Sequence, residues 1–219
     1  MSQSTVVSPI ALKTFPLFHG LSEEVLATVA RAAMMRRIPR GQTVVNAGDR
    51  PDYVYFVLTG SLKVVVSDED GREVILSILG QGELFGEMGI FDEQPRSASV
   101  IAVVASDLVM IPKHDFRQIM HDNFDIAWRI MCNLVERLRD ADRKIESLAL
   151  MDVYGRVAKL LLDVSEIHDG RRIIPRRLTK QDIAKMIGAS REMVSRVMKD
   201  LEGSGYILVD DGQIVLNEQ

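Results

Sequence analysis

The stretch FGEMGIFDEQPRSAS, residues 85–99, sets Glu87 and Arg96 nine residues apart in a segment that opens with Gly86 and Gly89. A carboxylate only accepts hydrogen bonds, whereas a guanidinium offers a rigid fork of donors. A pair of this kind is either an ordinary surface ion pair or the two ends of a small polar pocket.

A second stretch, KQDIAKMIGASREMVSRVMK over residues 180–199, has the spacing of two closely crossed helices. Counting Lys180 as the first position, Ala184 is fifth and Gly188 ninth. The alanine lets the helices approach, and the glycine supplies a positive φ at the turn. Ile183, Ile187, Ala189, Val194 and Val197 fall at the buried spacings. Thr179 with Asp182 is expected to start the first helix with a capping box, and Ser190 to cap the second. The second helix then exposes Arg191, Glu192, Ser195, Arg196 and Lys199. Its opening turn holds Arg191, which can bind O6 and N7 of guanine, and Glu192, which can accept from N4 of cytosine. Lys180 and the backbone at the helix starts suit phosphates, and Thr179 and Ser190 are counted with the DNA-binding residues. This pattern predicts a helix-turn-helix able to read double-stranded DNA. From Arg171 to Lys199 nine Lys or Arg face two acids, a local balance of +7 in a chain of net charge −4, as expected of an electrostatic footprint on a duplex.

The surrounding elements position these groups. "GLSEEVLATVARAA" reads as a helix capped by Ser22. From Ile38 to Ile111, short β-branched runs separated by Gly, Asp or Pro predict an all-β barrel or roll, with a hairpin turn at Asp70-Gly71. Between 113 and 150 the period becomes helical: Ala127, Met131, Leu134, Leu138, Ala141, Ile145 and Leu148 alternate spacings of four and three between charged residues. That pattern fits a coiled-coil seam between two copies or, alternatively, a helix lying on its own domain. "DVYGRVAKLLLDVSEI" predicts a further helix and "DGRRIIPRRL" a basic loop with short strand character. "YILVDDGQIVLNEQ" predicts a terminal hairpin turning at Asp211-Gly212, which would serve as a wing.

A chain of 219 residues suggests two domains. One cysteine, Cys132, excludes an intrachain disulfide and any four-cysteine metal site. His19, His114, His121 and His168 are scattered without metal-ligand spacing, and no nucleophile has a base near it in sequence, so neither an enzyme nor a metal is expected. No apolar run approaches the ~18 residues of a membrane span, and the first residues lack the features of a signal peptide. A cytoplasmic protein without a membrane partner is the expectation.

A β-roll, a long helix and a winged helix-turn-helix, in that order, resemble the cyclic AMP receptor protein/FNR (CRP/FNR) family of bacterial transcription regulators. The motifs "GSLKVV", "GEMGIFDEQPRSAS", "LALMDVYGRVAKLL" and "IGASREMVSRVMKDLE" carry the resemblance, which runs from about Leu17 to the end. It implies an α+β chain with a cyclic-nucleotide-binding β-roll (a double-stranded β-helix or jelly roll) over 1–123. A dimerisation helix and hinge would span 124–151, with Asp152 and Val153 marking where the hinge meets a winged helix-turn-helix over 152–219. It also implies a homodimer on promoter DNA with TGTGA-like half-sites, and RNA polymerase as a further partner. The glycine–glutamate stretch then resembles a phosphate-binding cassette. Gly86 would admit the ligand, and Glu87 and Met88 would open a helical turn toward it. Arg96 and Ser97 would donate to the cyclic phosphate, and Glu87 would accept from the ribose 2′-OH. Arg137 matches a family arginine that can brace Glu87. Where a relative uses a Thr-Ser pair against adenine, this chain has Ala141 and Asp142. Alanine makes no hydrogen bond and aspartate only accepts, so a guanine ligand, cyclic GMP or cyclic di-GMP, competes with the favoured cyclic AMP. A regulator acting through protein contact, its helix-turn-helix serving only as structure, is the other alternative.

Overall fold

The computed structural model describes residues 5–175, 178–210 and 213–217. Arg176 and Arg177 of the basic segment and the Asp211-Gly212 turn lie outside the described residues. Two compact units divide the chain, Met1–Glu136 and Arg137–Gln219.

In the first unit, strand β1 (Thr5–Val6) and helices α1 (Pro9–Leu12) and α2 (Glu23–Ala32) precede strands β2 (Met34–Ile38), β3 (Thr43–Val45), β4 (Tyr53–Thr59), β5 (Leu62–Ser67), β6 (Glu73–Leu79) and β7 (Leu84–Phe85). The short helix α3 (Met88–Asp92) interrupts the strands before β8 (Ser99–Ala102) and β9 (Ser106–Pro112). Two antiparallel sheets result, in the orders β1-β2-β9-β4-β7 and β3-β8-β5-β6. Strand alternation explains the layers. On β4, Val54 and Phe56 join a core shared with α2, Phe15, Phe18 and Phe116, while Tyr55 and Val57 join a second core between the sheets with Leu62, Val100 and Leu108. Ser22 caps α2 as expected, accepting from Val25 N–H at 3.3 Å. Gly71 turns the β5–β6 hairpin at φ +76°.

Helix α4 (Lys113–Asp122) follows β9, and after Asn123 the chain enters α5 (Phe124–Leu150). Ile126 and Ile130 of α5 are buried in the first unit's core, with Leu134 packed against it.

The second unit holds α6 (Val153–Asp163), β10 (Glu166–His168), β11 (Arg171–Ile173), α7 (Lys180–Ile187), α8 (Arg191–Gly203), β12 (Ile207–Asp210) and β13 (Gln213–Leu216). Its four strands form one antiparallel sheet, β10-β11-β13-β12. The sheet is wider than the terminal hairpin read from sequence, because the preceding hairpin pairs Arg172 with Leu216 and Ile173 with Val215. The α6 segment also ends earlier than its apolar pattern implied, since Glu166–His168 pairs with β11 instead of continuing the helix. Val157, Leu161, Ile183, Val194 and Leu201 fill the core beneath.

Candidate ligand pocket and nucleic-acid interface

Gly86 follows β7 at φ +80°. A Cβ placed there would meet Arg96 Nη1 at 2.6 Å, so glycine is what lets the guanidinium lie against the main chain. Arg96 Nη1 donates to the Gly86 carbonyl and Nη2 to the Tyr53 carbonyl. The guanidinium carbon stands 5.8 Å from the centroid of the Tyr55 ring, which is stacked on Phe85 at 4.9 Å. The arginine's own main chain is fixed by the β3–β4 loop, for Gly48 N–H donates to its carbonyl at 2.8 Å and its N–H donates to the Asp49 carbonyl at 2.9 Å.

Glu87 is 1% exposed and Arg96 7% exposed, which is incompatible with an ordinary surface ion pair. Burial pushes the Arg96 pKa down, while the neighbouring Tyr55, Glu87, Asp52 and Asp49 act in the other direction. Burial likewise raises the Tyr55 phenol, against the pull of Arg96. Glu87 stands at the N-cap of α3 without using its side chain as a cap. Met88, next to Glu87 in sequence, and Ser97, next to Arg96, are exposed.

The structure thus assembles Gly86, Glu87 and Arg96 in one corner, with one difference from the sequence expectation. The fork of Arg96 is turned onto two main-chain carbonyls instead of standing open, because a buried guanidinium must satisfy its donors. Its Nε is buried with no hydrogen-bond partner among the described residues. That orphaned donor, beside a glycine whose positive φ and whose contact with the guanidinium both disfavour a side chain, suits an anionic oxygen. Tyr53 and Tyr55 were missed from sequence; their i, i+2 spacing on β4, which sends both side chains to one face, was the available signal.

Arg137, Ala141 and Asp142 belong to the second unit, whereas the cassette belongs to the first. Arg137 is half-buried, and Ala141 and Asp142 are exposed. Of the apolar residues assigned to a seam on α5, Met131, Leu138, Ile145 and Leu148 are exposed, but Leu134 packs against the first unit's core. Val135, 47% exposed, and Trp128, 57% exposed, take up the outward spacing instead. Phe124, Trp128, Met131, Val135, Leu138 and Ile145 therefore make the apolar stripe, with Asp142 at the intervening heptad position.

The helix-turn-helix is built as its spacing required. Thr179 and Asp182 form the capping box of α7, Gly188 closes that helix at φ +64°, and Ser190 caps α8 through Met193 N–H. Arg156 of α6 donates to the Ile187 carbonyl at the turn, at 2.8 Å. Ile183, Ala184, Ile187, Val194 and Val197 are buried and Ala189 half-buried. Thr179, Lys180, Ser190, Arg191, Glu192, Arg196 and Lys199 are exposed, and Ser195 is half-buried. Hydrogen bonds from its own N–H and from Ser190, with Arg191 and Arg196 near, hold the Glu192 carboxyl below its usual range, so it remains an ionised acceptor at neutral pH.

Comparison with known proteins agrees with both units. Residues 35–123 match the cyclic nucleotide-binding domain, and residues 155–219 the Crp-like helix-turn-helix domain. The chain is 38% identical over 191 residues to the cAMP-activated global transcriptional regulator Vfr of Pseudomonas aeruginosa, covering 83% of this chain and 88% of that protein. It is 36% identical over 189 residues to the cAMP-activated global transcriptional regulator CRP of Pasteurella multocida, covering 83% of this chain and 89% of the relative. Among solved structures, the c-di-GMP-responsive global regulator CLP of Xanthomonas campestris superposes with a TM-score of 0.78 at 28% identity, covering 90% of this chain and all of that one. No described helix is long and apolar enough to cross a membrane.

Proposed function

Because the chain belongs to the CRP/FNR family of transcription regulators, we propose that it is a homodimeric promoter-binding regulator controlled by cyclic AMP in the β-roll. The observation that carries the reading is the buried Glu87–Arg96 corner with its orphaned Arg96 Nε. Arg96 and Ser97 would hold the cyclic phosphate, Gly86 and Met88 would border it, and Glu87 would accept from the ribose 2′-OH. Arg137, Ala141 and Asp142 are assigned to the base side. Adenine is favoured because the relatives at 36% and 38% identity are named as cAMP-activated.

The domain assignment is 1–123 for the ligand roll, 124–151 for the dimer helix and hinge, and 152–219 for the DNA-binding domain. Asp152, which caps α6 by accepting from Gly155 N–H at 2.8 Å, is placed at the hinge. Two α5 stripes would pair, and the ligand would favour one of two arrangements of the dimer. It can do so only by the difference in its affinity for the two. The recognition helices α8 would then enter successive major grooves. Arg191 is assigned to guanine in a TGTGA-like half-site, Glu192 to the opposite cytosine, Arg196 to a further base or phosphate, and Lys180 to phosphate. Thr179, Ser190, Ser195 and Lys199 complete the interface, and RNA polymerase is the partner once the dimer is on DNA.

A second reading, a guanine effector, is favoured by two observations: Asp142 offers an acceptor to the N1–H and N2–H donors of guanine, and the structurally similar CLP is c-di-GMP-responsive. Titration calorimetry of the protein with cyclic AMP, cyclic GMP and cyclic di-GMP separates the two. Tightest binding of cyclic AMP supports the first reading, tightest binding of a guanine ligand replaces it with the second, and no binding of any removes both.

A further inference from the structure

The cassette is gripped from outside at a point that neither its sequence nor the ligand assignment explains. Arg117, on α4, donates from Nε to the Ile90 carbonyl at 3.0 Å and again from Nη2 to the same oxygen. Its remaining nitrogen, Nη1, reaches Glu93 Oε1 at 3.0 Å, and Lys113 Nζ lies 3.7 Å from that same oxygen. Ile90 and Glu93 fall between Glu87 and Arg96 in the chain, so the grip acts on the link joining the two groups assigned to the ligand.

Three features show that this link is held in a defined shape. Glu93 closes α3 at φ +61°, a left-handed conformation disfavoured for most residues with a Cβ, glutamate among them, and it is one of only two non-glycine residues with positive φ among those described. Gly89 is so closely packed that a Cβ would fall 2.6 Å from the Gln94 carbonyl oxygen and 2.8 Å from Pro51 Cβ. At the start of α4, Lys113 N–H donates to the Asp52 carbonyl at 2.8 Å, in the same loop whose Gly48 and Asp49 hold the main chain of Arg96. A helix of five residues cannot satisfy its last carbonyls by itself, and Arg117 supplies a charged donor pair to one of them.

We infer that Arg117, with Lys113 and Glu93, positions the nucleotide site: it holds α3 against α4 so that Glu87 and Arg96 present to the ligand together. The inference rests on reading the cassette as that site. None of the three residues is assigned to the ligand itself. Glu93 belongs to the clamp through its charge, since the hydrogen bond from Arg117, then Lys113, holds its carboxyl below the usual range and ionised at neutral pH.

The test compares Arg117→Met, Arg117→Lys and Glu93→Asn with the unaltered protein in three measurements: cyclic AMP affinity by calorimetry, thermal unfolding, and amide exchange of Met88–Asp92 without ligand. Loss of a charge-assisted hydrogen bond corresponds to about tenfold or more. Arg117→Met should therefore weaken cyclic AMP by about that factor and speed exchange across α3 similarly. Arg117→Lys, which keeps the charge but cannot span both acceptors, should recover part of the affinity. Glu93→Asn is the discriminating variant, because asparagine accepts the left-handed conformation while removing the charge. A purely structural role for Glu93 predicts unchanged affinity and equal or higher stability. The clamp predicts equal or higher stability with affinity reduced about threefold or more. Wild-type affinity in Glu93→Asn, or unchanged α3 exchange in a folded Arg117 variant, overturns the inference. If the unaltered protein binds no cyclic nucleotide, the nucleotide reading fails by itself, and exchange in the unliganded variants still decides whether the clamp exists.

Discussion

Replacing Arg96 by alanine should have two separable effects, because the structure gives this residue two tasks. Without ligand it bridges the carbonyls of Gly86 and Tyr53 and covers the Tyr55 ring. Hydrogen bonds to a charged group contribute roughly 1.5–3 kcal/mol each. Two are lost here, and water reaching the gap recovers part of that, so the net cost is about 3 kcal/mol. At roughly 2–4 °C per kcal/mol for a chain of this size, the roll should melt about 6–12 °C lower. With cyclic AMP at about one hundred times its Kd, the unaltered protein should gain about 2.7 kcal/mol, or about 5–11 °C. The alanine variant should show almost none of that gain at the same ligand concentration. Arg96→Lys keeps the charge without the fork and should fall between the two. Scanning calorimetry with and without ligand reads both effects. An alanine variant that melts like wild type would refute the bridging role, and one that cyclic AMP stabilises as much as wild type would refute the phosphate role.

At the seam, Val135→Lys with Leu138→Lys should give monomers by sedimentation, because both positions are exposed on α5 and like charges would face each other; Leu134→Lys should instead destabilise the roll, against whose core it packs. On DNA, Arg191→Ala should cost roughly 1–3 kcal/mol and relax preference at one base pair. Lys180→Ala should weaken every sequence alike and flatten the salt dependence by about one unit, and equal loss on all duplexes for Arg191→Ala would make that residue a phosphate anchor. Gly188→Ala should destabilise the second unit by roughly 1–2 kcal/mol through its φ of +64° alone, since a Cβ there finds only Leu148 Cδ2, at 3.7 Å; thermal unfolding checks it.

The features legible in the sequence were those whose partners lie a few residues away. Ser22, the Thr179–Asp182 box, Ser190, the positive φ of Gly188 and the hairpin turn at Asp70-Gly71 each follow from local chemistry, and each is found as read. Within the candidate site, the types of Gly86, Glu87 and Arg96 announced a polar corner, but the arginine's acceptor at Tyr53 is 43 residues away, and no local pattern encodes that contact. Arg117 was invisible for the same reason, as it meets Ile90 across 27 residues. On α5 two heptad frames share Met131, Leu138 and Ile145, so spacing alone could not choose between Leu134 and Val135. Packing against the roll makes the choice by withdrawing Leu134 from the outward face. The wing was read one hairpin too narrow because β10 and β11 are only three residues each and join the sheet only through the pairing of β11 with β13.

The most direct test of the central claim is the affinity of the intact protein for a duplex carrying two TGTGA-like half-sites with centres about 34 Å apart, one helical turn, titrated with and without cyclic AMP. Ligand-controlled binding predicts a gain of at least about tenfold with cyclic AMP, corresponding to a coupling of roughly 1.4 kcal/mol, and no such gain on a duplex lacking the half-sites. Equal affinity with and without cyclic AMP, cyclic GMP or cyclic di-GMP would contradict it.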